Sequence, residues 1–523
     1  MPDLEDVISY LSEAIPAEMS AHDIPGVAVG LCDADSVRWA RGFGSTGGPH
    51  DRDVDTQTMF SVQSTSKLVT ATGVLLAVQN DLVDLDEPIK NRLPDFTVRS
   101  TFEDHPELRI TLRQLLDHTA GFTHETRVGS NYLDSGESFE EHIASIGSTF
   151  LRFPVGHHHE YSNLGIDLAG YIVQQAAGTP FVDYMSTTLL GPLGMSRSTY
   201  ADQSASTERN RAIGHSQRFA AARTSLPVRI PMVPAGGLYT TVDDELRYVQ
   251  LHLREGAGLL DPATYAEHLA VPRIGPEQTL GYGLCLYVDE WSPGVRVLHH
   301  GGAGFGFLSQ VFWLPDLGVG AVILTNSVDH NVQNQLAAAI VSRLGHDDGT
   351  TNGARLRLAP GSPRDAAGAY LGRLNDVLEV TAPPEGPQLH SWEGDEPDPS
   401  RSGKVHQVLP DQAGRAHYLR DLRNGEVRHR TVPADSPPSH IRPERLGRYD
   451  SRTAGVVMTR YRIRQAGNNA VIDLPRNGAL DEPITLLLQE LEEDLYLSST
   501  GETLDFTGEQ AHYANIPLFK VPD

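Results

Sequence analysis

Ser64 and Lys67 stand three positions apart in Phe60-Ser-Val-Gln-Ser64-Thr-Ser-Lys67, where a long apolar run begins. On a helix that spacing puts both on one face, so a hydroxyl and an amine can meet. An amine withdrawn from water loses part of its preference for charge and can take a serine proton. The same helix start offers free N–H groups and a positive dipole end to a developing oxyanion. Lysine is scarce here, limited to Lys67, Lys90, Lys404 and Lys520, and a lysine at the head of an apolar helix needs a reason to be there.

Two further clusters could complete such a site. Tyr161 and Asn163 follow PVGHHHE and precede the apolar run LGIDLAGYIVQQAAG. A tyrosine beside a lysine can shuttle a proton between nucleophile and leaving group. Asn163 can donate to a substrate amide and orient Lys67. His300, Gly302 and Ala303 lie in HHGGAGFGF, with strand-like text on both sides. Glycine there lets a substrate backbone lie against a strand edge, and the Ala303 N–H can join that of Ser64 as an oxyanion hole. Each motif taken singly also has a plain reading. An SxxK arises by chance, a tyrosine before a helix packs, and a Gly-rich stretch turns the chain between strands, with both histidines structural.

The elements that must bring these clusters together are visible as patterns. Apolar spacing at Leu4, Val7, Ile8, Leu11 and Ile15 predicts a helix over 4–20. Gly26–Asp33 and Val37–Gly44 read as a β-hairpin, and 64–80 as a helix apolar almost all round and therefore central. Gly281–Val288, Val295–His299, Phe307–Leu314 and Val319–Asn326 read as strands, followed by a helix from Asn331 to Leu344. Strands at both ends with helices between them predict one antiparallel sheet flanked by helices, plus a helical cluster. Beyond Gly345 the text is polar and Gly/Pro-rich, then mostly short strands and turns. The similar openings Gly368-Ala369-Tyr370 and Gly447-Arg448-Tyr449 suggest two small β-barrels in tandem, with a single larger β-domain as the alternative. The expected organisation is a catalytic domain over 1–346, a linker over 347–361, and barrels over 362–438 and 439–523.

At 523 residues the chain exceeds what one hydrophobic core serves. With 68 acidic against 42 basic side chains its formal charge is -26, a surface that repels nucleic acid phosphates and anionic lipid. Neither nucleic acid nor membrane is expected as a partner. The N-terminal MPDLEDVISYLSEAIPAEMS carries acids where a leader needs positive charge, and no run reaches the roughly 18–20 apolar residues of a membrane span. A cytoplasmic location is expected. Cys32 and Cys285, each in an apolar strand-like stretch, read as buried free thiols. Consecutive His157, His158 and His159 on a loop do not face one ion together, so no metal or other cofactor is expected.

In their order, Ser64-x-x-Lys67, Tyr161-x-Asn163 and His300-x-Gly302 resemble the serine β-lactamase and penicillin-binding superfamily. More narrowly they resemble its class-C-like branch, where the second motif is YxN and the third is KTG or HxG. Ile110–Gly121, Pro154-Val-Gly156, Gly191–Met195 and Gly236-Gly237-Leu238 agree with that branch, over roughly residues 20–345. The resemblance implies an α+β fold and a β-lactamase/transpeptidase-like domain. It implies Ser64 as acylated nucleophile, with Lys67 and Tyr161 as shared general base and acid. Asn163 would bind the substrate amide, His300 and Gly302 would line the receiving strand edge, and the Ser64 and Ala303 N–H groups would hold the oxyanion.

KTG members use their lysine to attract a substrate carboxylate. His300 is a weaker cation at neutral pH, which argues against β-lactamase or carboxypeptidase action. The two C-terminal β-units look like those of bacterial D-aminopeptidases, in which a barrel loop enters the cleft and restricts it to short substrates with a free amino terminus. An ammonium needs a nearby carboxylate, and Glu502, Asp505, Asp481 and Glu482 are candidates, each also readable as a solvated turn acid. The expectation is a serine hydrolase acting on small amides or short peptides and releasing an N-terminal D-amino acid. The alternatives are a carboxylesterase of the same fold, a penicillin-binding-type peptide cyclase or thioesterase, and a ligand-binding protein without catalysis. Self-association stays open.

Overall fold

The computed structural model describes residues 4–522 apart from 49, 130–136, 217–223, 226–230, 273–279, 293, 346–356, 360–365, 372–376, 384–386, 392–404, 411–415, 422–426, 432–437, 454–455 and 477–478. The first half is a seven-stranded antiparallel sheet made from both ends of the segment. Its strands are β1 (Gly26–Asp33), β2 (Val37–Gly44), β3 (Gly281–Tyr282), β4 (Tyr287–Ser292), β5 (Val295–Gly304), β6 (Phe307–Leu314) and β7 (Val319–Thr325), in the order β2-β1-β7-β6-β5-β4-β3. The β1 and β7 registers pair Val27 with Thr325 and Asp33 with Val319, so N- and C-terminal parts of this half are stitched together at the sheet centre.

Helices α1 (Glu5–His22), α2 (Ser66–Gln79), α3 (Phe139–Ile146), α4 (Asn163–Ala177), α5 (Val242–Leu253) and α6 (Val332–Gly345) divide between the layers. One face of the sheet is covered by α1 and α6, whose Val7, Leu11, Leu336 and Ile340 pack on Val29 and Ile323. The other face receives α5, with Val242 and Leu246 directly over Gly30. Beyond α5 lies the helical cluster, with α2 at its centre. Every residue of α2 from Ser66 to Ala77 is buried, as its unbroken apolar text predicts.

Two strand expectations change in detail. Gly281–Val288 is not continuous: β3 ends at Tyr282, and Cys285 takes a left-handed backbone (φ 60) between β3 and β4. Its N–H and thiol both point to the Leu116 carbonyl instead. The strand predicted to stop at His299 runs on to Gly304 through the glycine motif. Gly304, Phe305 and Gly306 then make the turn into β6, all with positive φ. Both cysteines are buried free thiols.

In the C-terminal part, strands within 357–430 form one seven-stranded sheet, and 447–521 form a closed eight-stranded barrel filled by Ile463, Ile472, Leu486, Leu488 and Leu504. The two small β-units are a half-barrel followed by a closed barrel. Apart from 357–359, the segment 347–361 read as a linker lies outside the described residues. Among the described residues no helix is long and apolar enough to cross a membrane.

The catalytic-half core contains one uncompensated acid. Glu245 on α5 is fully buried, and neither carboxylate oxygen has a hydrogen-bond partner among the described residues. Burial, reinforced by neighbouring Asp244, pushes its pKa from 4.5 up to about 8. The folded state therefore holds this proton more tightly than the unfolded chain. Its contribution to stability is complete below about pH 4.5 and is lost as pH rises towards 8. Unfolding free energies measured by urea titration should decline across that window, and the Glu245→Gln variant should lose that part of the decline.

Candidate active site

Ser64 sits in a single 3-10 turn, Gln63–Thr65, that leads directly into α2. Gln63 holds a left-handed backbone (φ 51), a costly conformation for a side-chain-bearing residue. This bend leaves Ser64 half-buried while Lys67, on the first turn of α2, is fully buried. The Lys67 Nζ donates to Ser64 Oγ at 3.1 Å and to the Ala235 carbonyl at 2.8 Å. It also lies 4.9 Å from the centre of the Tyr161 ring. Hydroxyl, amine and phenol thus converge from remote parts of the chain.

Tyr161 is buried, and its ring stands 4.4 Å from that of His118 and 5.9 Å from that of His300. His118 Nδ1 accepts the Ser162 N–H at 3.2 Å, fixing the backbone beside the phenol. Asn163 begins α4, and its side-chain amide donates to Glu125 Oε1 at 2.9 Å. Its Oδ1 is buried without a hydrogen bond among the described residues, an acceptor awaiting a donor.

The third motif lies on β5. Strand β4 pairs with β5 only as far as His299, whereas β6 follows β5 to Gly304. Among the described residues no strand covers the second edge of Gly301–Gly304, the edge that the glycines were expected to offer. Gly302 is packed so closely against the nucleophile's turn that a Cβ there would lie 2.1 Å from the Val62 carbonyl oxygen and 3.1 Å from the Ser64 nitrogen. Ala303 follows on the same strand with its side chain exposed. His300 is buried: its Nδ1 lies 2.6 Å from the Gly301 carbonyl and its Nε2 2.9 Å from the Tyr282 hydroxyl. The Gly301 carbonyl can only accept, so Nδ1 carries a proton, and the Tyr282 hydroxyl meets Nε2.

Beside Tyr161 a cavity of about 180 Å³ opens between Tyr282, Tyr287, His159 and His299, and Val427 of the half-barrel closes one wall. The C-terminal part also grips the segment leading to Tyr161. Arg152 donates to Glu160 at 2.6 Å and to the Thr500 carbonyl at 2.6 and 3.0 Å, and faces Glu502 at 3.2 Å. Glu160 meets His429 at 3.0 Å. Burial opposes the Glu160 charge, but Arg152 and then His429 outweigh it and hold the carboxyl well below the usual range.

The acids considered as ammonium partners are accounted for differently. Glu502 is engaged by Arg152 and by the Thr123 hydroxyl at 2.6 Å, and Asp505 is bound by Arg127. The Asp481 and Glu482 side chains lie outside those described. Of the three consecutive histidines, His157 and His158 meet each other at 3.0 Å while His159 faces Tyr282. His158 packs on Tyr418, and its burial, then neighbouring His157, push its pKa down to about 2.

Sequence reading missed Tyr282, Glu125 and Ala235. Tyr282 follows a glycine in an ordinary-looking strand, and Ala235 acts through its backbone, which leaves no trace in residue type. The partnership of Glu125 with Asn163 depends on a loop folding back, a tertiary event.

Comparisons with known proteins identify the fold that carries these residues. The family model described as Beta-lactamase matches residues 11–344. Esterase EstB of Burkholderia gladioli is 27% identical over 324 residues, covering 54% of this chain and 81% of that protein. The unguisins hydrolase ungD' of Aspergillus campestris is 24% identical over 330 residues, and the match spans 60% of this chain and 61% of that protein's length. Among solved structures, the octameric penicillin-binding protein homologue from Pyrococcus abyssi superposes over 98% of this chain and 99% of its own, with a TM-score of 0.59 at 16% identity. A D-stereospecific amidohydrolase from Streptomyces sp. covers 65% of this chain and 98% of its own, with a TM-score of 0.54 at 24% identity. With the family match spanning most of the chain and its fold reproduced in the solved relatives, this chain belongs to the beta-lactamase family and is a serine hydrolase.

Proposed function

We propose that Ser64 attacks the carbonyl of a small amide or short peptide, forms an acyl-enzyme and is regenerated by water, and that the preferred product is an N-terminal D-amino acid. The observation that carries the catalytic part is the 3.1 Å contact between Lys67 Nζ and Ser64 Oγ, beneath the Tyr161 ring. Lys67 receives the serine proton as the carbon–oxygen bond forms, and Tyr161 passes a proton to the leaving amine. The Ser64 and Ala303 N–H groups receive the oxyanion, Asn163 binds the substrate amide, and the open edge of β5 with His300 and Gly302 receives the substrate backbone. When water attacks the acyl-enzyme its proton goes to the Tyr161 phenolate, and Lys67 returns its proton to the departing Ser64 Oγ, which resets the site. Other amines can replace water, so acyl transfer is a natural side reaction.

Support for short, uncharged acyl groups comes from His300. It stands where a KTG motif has a lysine, and its ring is already engaged by the Gly301 carbonyl and the Tyr282 hydroxyl, so it draws a substrate carboxylate more weakly. The Val427 wall of the cavity supports a restricted substrate. Likeness over 65% of the chain to a D-stereospecific amidohydrolase supports the D-amide preference. The engagement of Glu502 and Asp505 by arginines favours a second reading, a carboxylesterase, because neither acid is left to meet a substrate ammonium. Self-association is proposed by analogy with the octameric homologue.

Turnover of D- and L-aminoacyl p-nitroanilides beside p-nitrophenyl esters separates these readings. D-Anilide hydrolysis well above the L-isomer is expected. Ester turnover without any D-anilide turnover would leave the esterase. Ser64→Ala should abolish both activities and labelling by a serine-directed acylating probe, and labelling that survives would remove the nucleophile assignment. Gly302→Ala should fold yet lower kcat/KM by about 10²-fold, because its methyl group displaces the turn that carries Ser64. Full activity in that variant would separate β5 from the reaction.

A further inference from the structure

Asp167 is an acid in the middle of an otherwise apolar helix, one turn beyond Asn163 on α4, and it is fully buried. Both of its oxygens are used. Oδ1 accepts the Ala235 N–H at 2.9 Å, and Oδ2 lies 2.9 Å from His142 Nε2. His142, on α3, is equally buried, and its Nδ1 faces the Val128 carbonyl at 2.6 Å. With an acceptor at each ring nitrogen the imidazole needs both protons, so the pair is an imidazolium and a carboxylate. Burial alone would disfavour the imidazolium, but the hydrogen bond and charge of Asp167 outweigh it and raise the His142 pKa.

The backbone of Ala235, with one peptide on each side of its Cα, links this pair to the reacting groups. Its N–H is held by Asp167, and its carbonyl accepts the Lys67 amine, which reaches Ser64 Oγ. Gly170 permits the close approach: a Cβ there would lie 2.4 Å from Pro234 Cγ. Thr70, three residues after Lys67, donates to the Pro234 carbonyl at 2.7 Å and locks the same peptide segment to α2. A charged acceptor binds an N–H more strongly than a neutral one, and polarises the 234–235 peptide so that its Pro234 carbonyl accepts the Thr70 hydroxyl more strongly in turn, which fixes the residue whose own carbonyl meets Lys67.

We infer that the His142–Asp167 pair is a positioning device for Lys67, clamping the Ala235 backbone by its N–H so that the carbonyl on the other side of the same Cα holds the amine against Ser64, with His142 keeping the buried carboxylate charged and oriented. This rests on Ser64 being the nucleophile. Asp167 and His142 touch no substrate and act only through the backbone of Ala235. Besides Asp167, the charge acting on His142 is Glu125, and the titratable groups around Lys67 are Tyr161 and Cys285.

The test uses the full chain, p-nitrophenyl acetate and the acyl-enzyme burst. Asp167→Asn preserves size and can keep all the hydrogen bonds with a neutral imidazole, removing only charge. Its burst rate and kcat should fall about tenfold, with KM within about twofold and the unfolding temperature close to wild type. His142→Gln leaves the carboxylate without its counter-charge, so the midpoint of its kcat/KM pH profile should move in the opposite direction from that of Asp167→Asn. An unchanged burst rate in Asp167→Asn, a change confined to KM, midpoints moving together, or an Asp167→Asn protein that does not fold would each overturn the positioning role. None of these touches the hydrolase reading, which Ser64→Ala checks in the same assay. A burst surviving in Ser64→Ala would overturn both.

Discussion

A lysine amine with no exposure to water is the constraint around which this molecule is arranged. Burying an amine is costly unless acceptors meet its N–H groups. Here the acceptors are the Ser64 hydroxyl and one backbone carbonyl, with the face of an aromatic ring nearby. Each comes from a different part of the chain, so helix α2 can carry Lys67 only when the 233–236 segment and the start of α4 are already packed against it. The reactive group and the folding constraint are the same group, and this is why the helical cluster has α2 at its centre.

The sheet contributes a different kind of constraint. Its strand β5 outlasts its neighbour β4 by several residues, leaving an edge beside the nucleophile. An exposed edge is ordinarily a liability because its backbone groups invite pairing. Placed in a cleft, the same property becomes a means of holding an extended substrate. Gly302 serves this arrangement from the other side, since any side chain there would push the strand away from the Ser64 turn.

The C-terminal β-units are not a separate appendage. Arg152, Glu160, His429 and Glu502 form one partly buried network that spans both halves of the chain directly before Tyr161. Asn515 adds a hydrogen bond of 3.0 Å to the Glu125 carbonyl, and the Glu125 side chain in turn holds Asn163. Removing one member of such a network leaves the others buried without compensation. The Tyr161–Asn163 segment is therefore supported in part by residues of the C-terminal β-units.

The residue types and their periodicity determined a good deal by themselves. The hairpin Gly26–Asp33 and Val37–Gly44, the buried α2, the strands Phe307–Leu314 and Val319–Thr325 and the final helix follow from local apolar patterns, because each element buries one continuous face or stripe. Ser64 and Lys67 were legible because their spacing is a helix property and their chemistry a side-chain property. What needed the tertiary structure was everything acting across distance or through the backbone. The break at Cys285, the extension of β5 to Gly304, the contact of His300 with Tyr282, and the Ala235 carbonyl under Lys67 all depend on which segment lies beside which. So does the fate of Glu502 and Asp505, whose sequence neighbourhood reads as a solvent-facing turn. A one-dimensional pattern records what a residue can do, but charge pairing is settled by the neighbour that packing supplies.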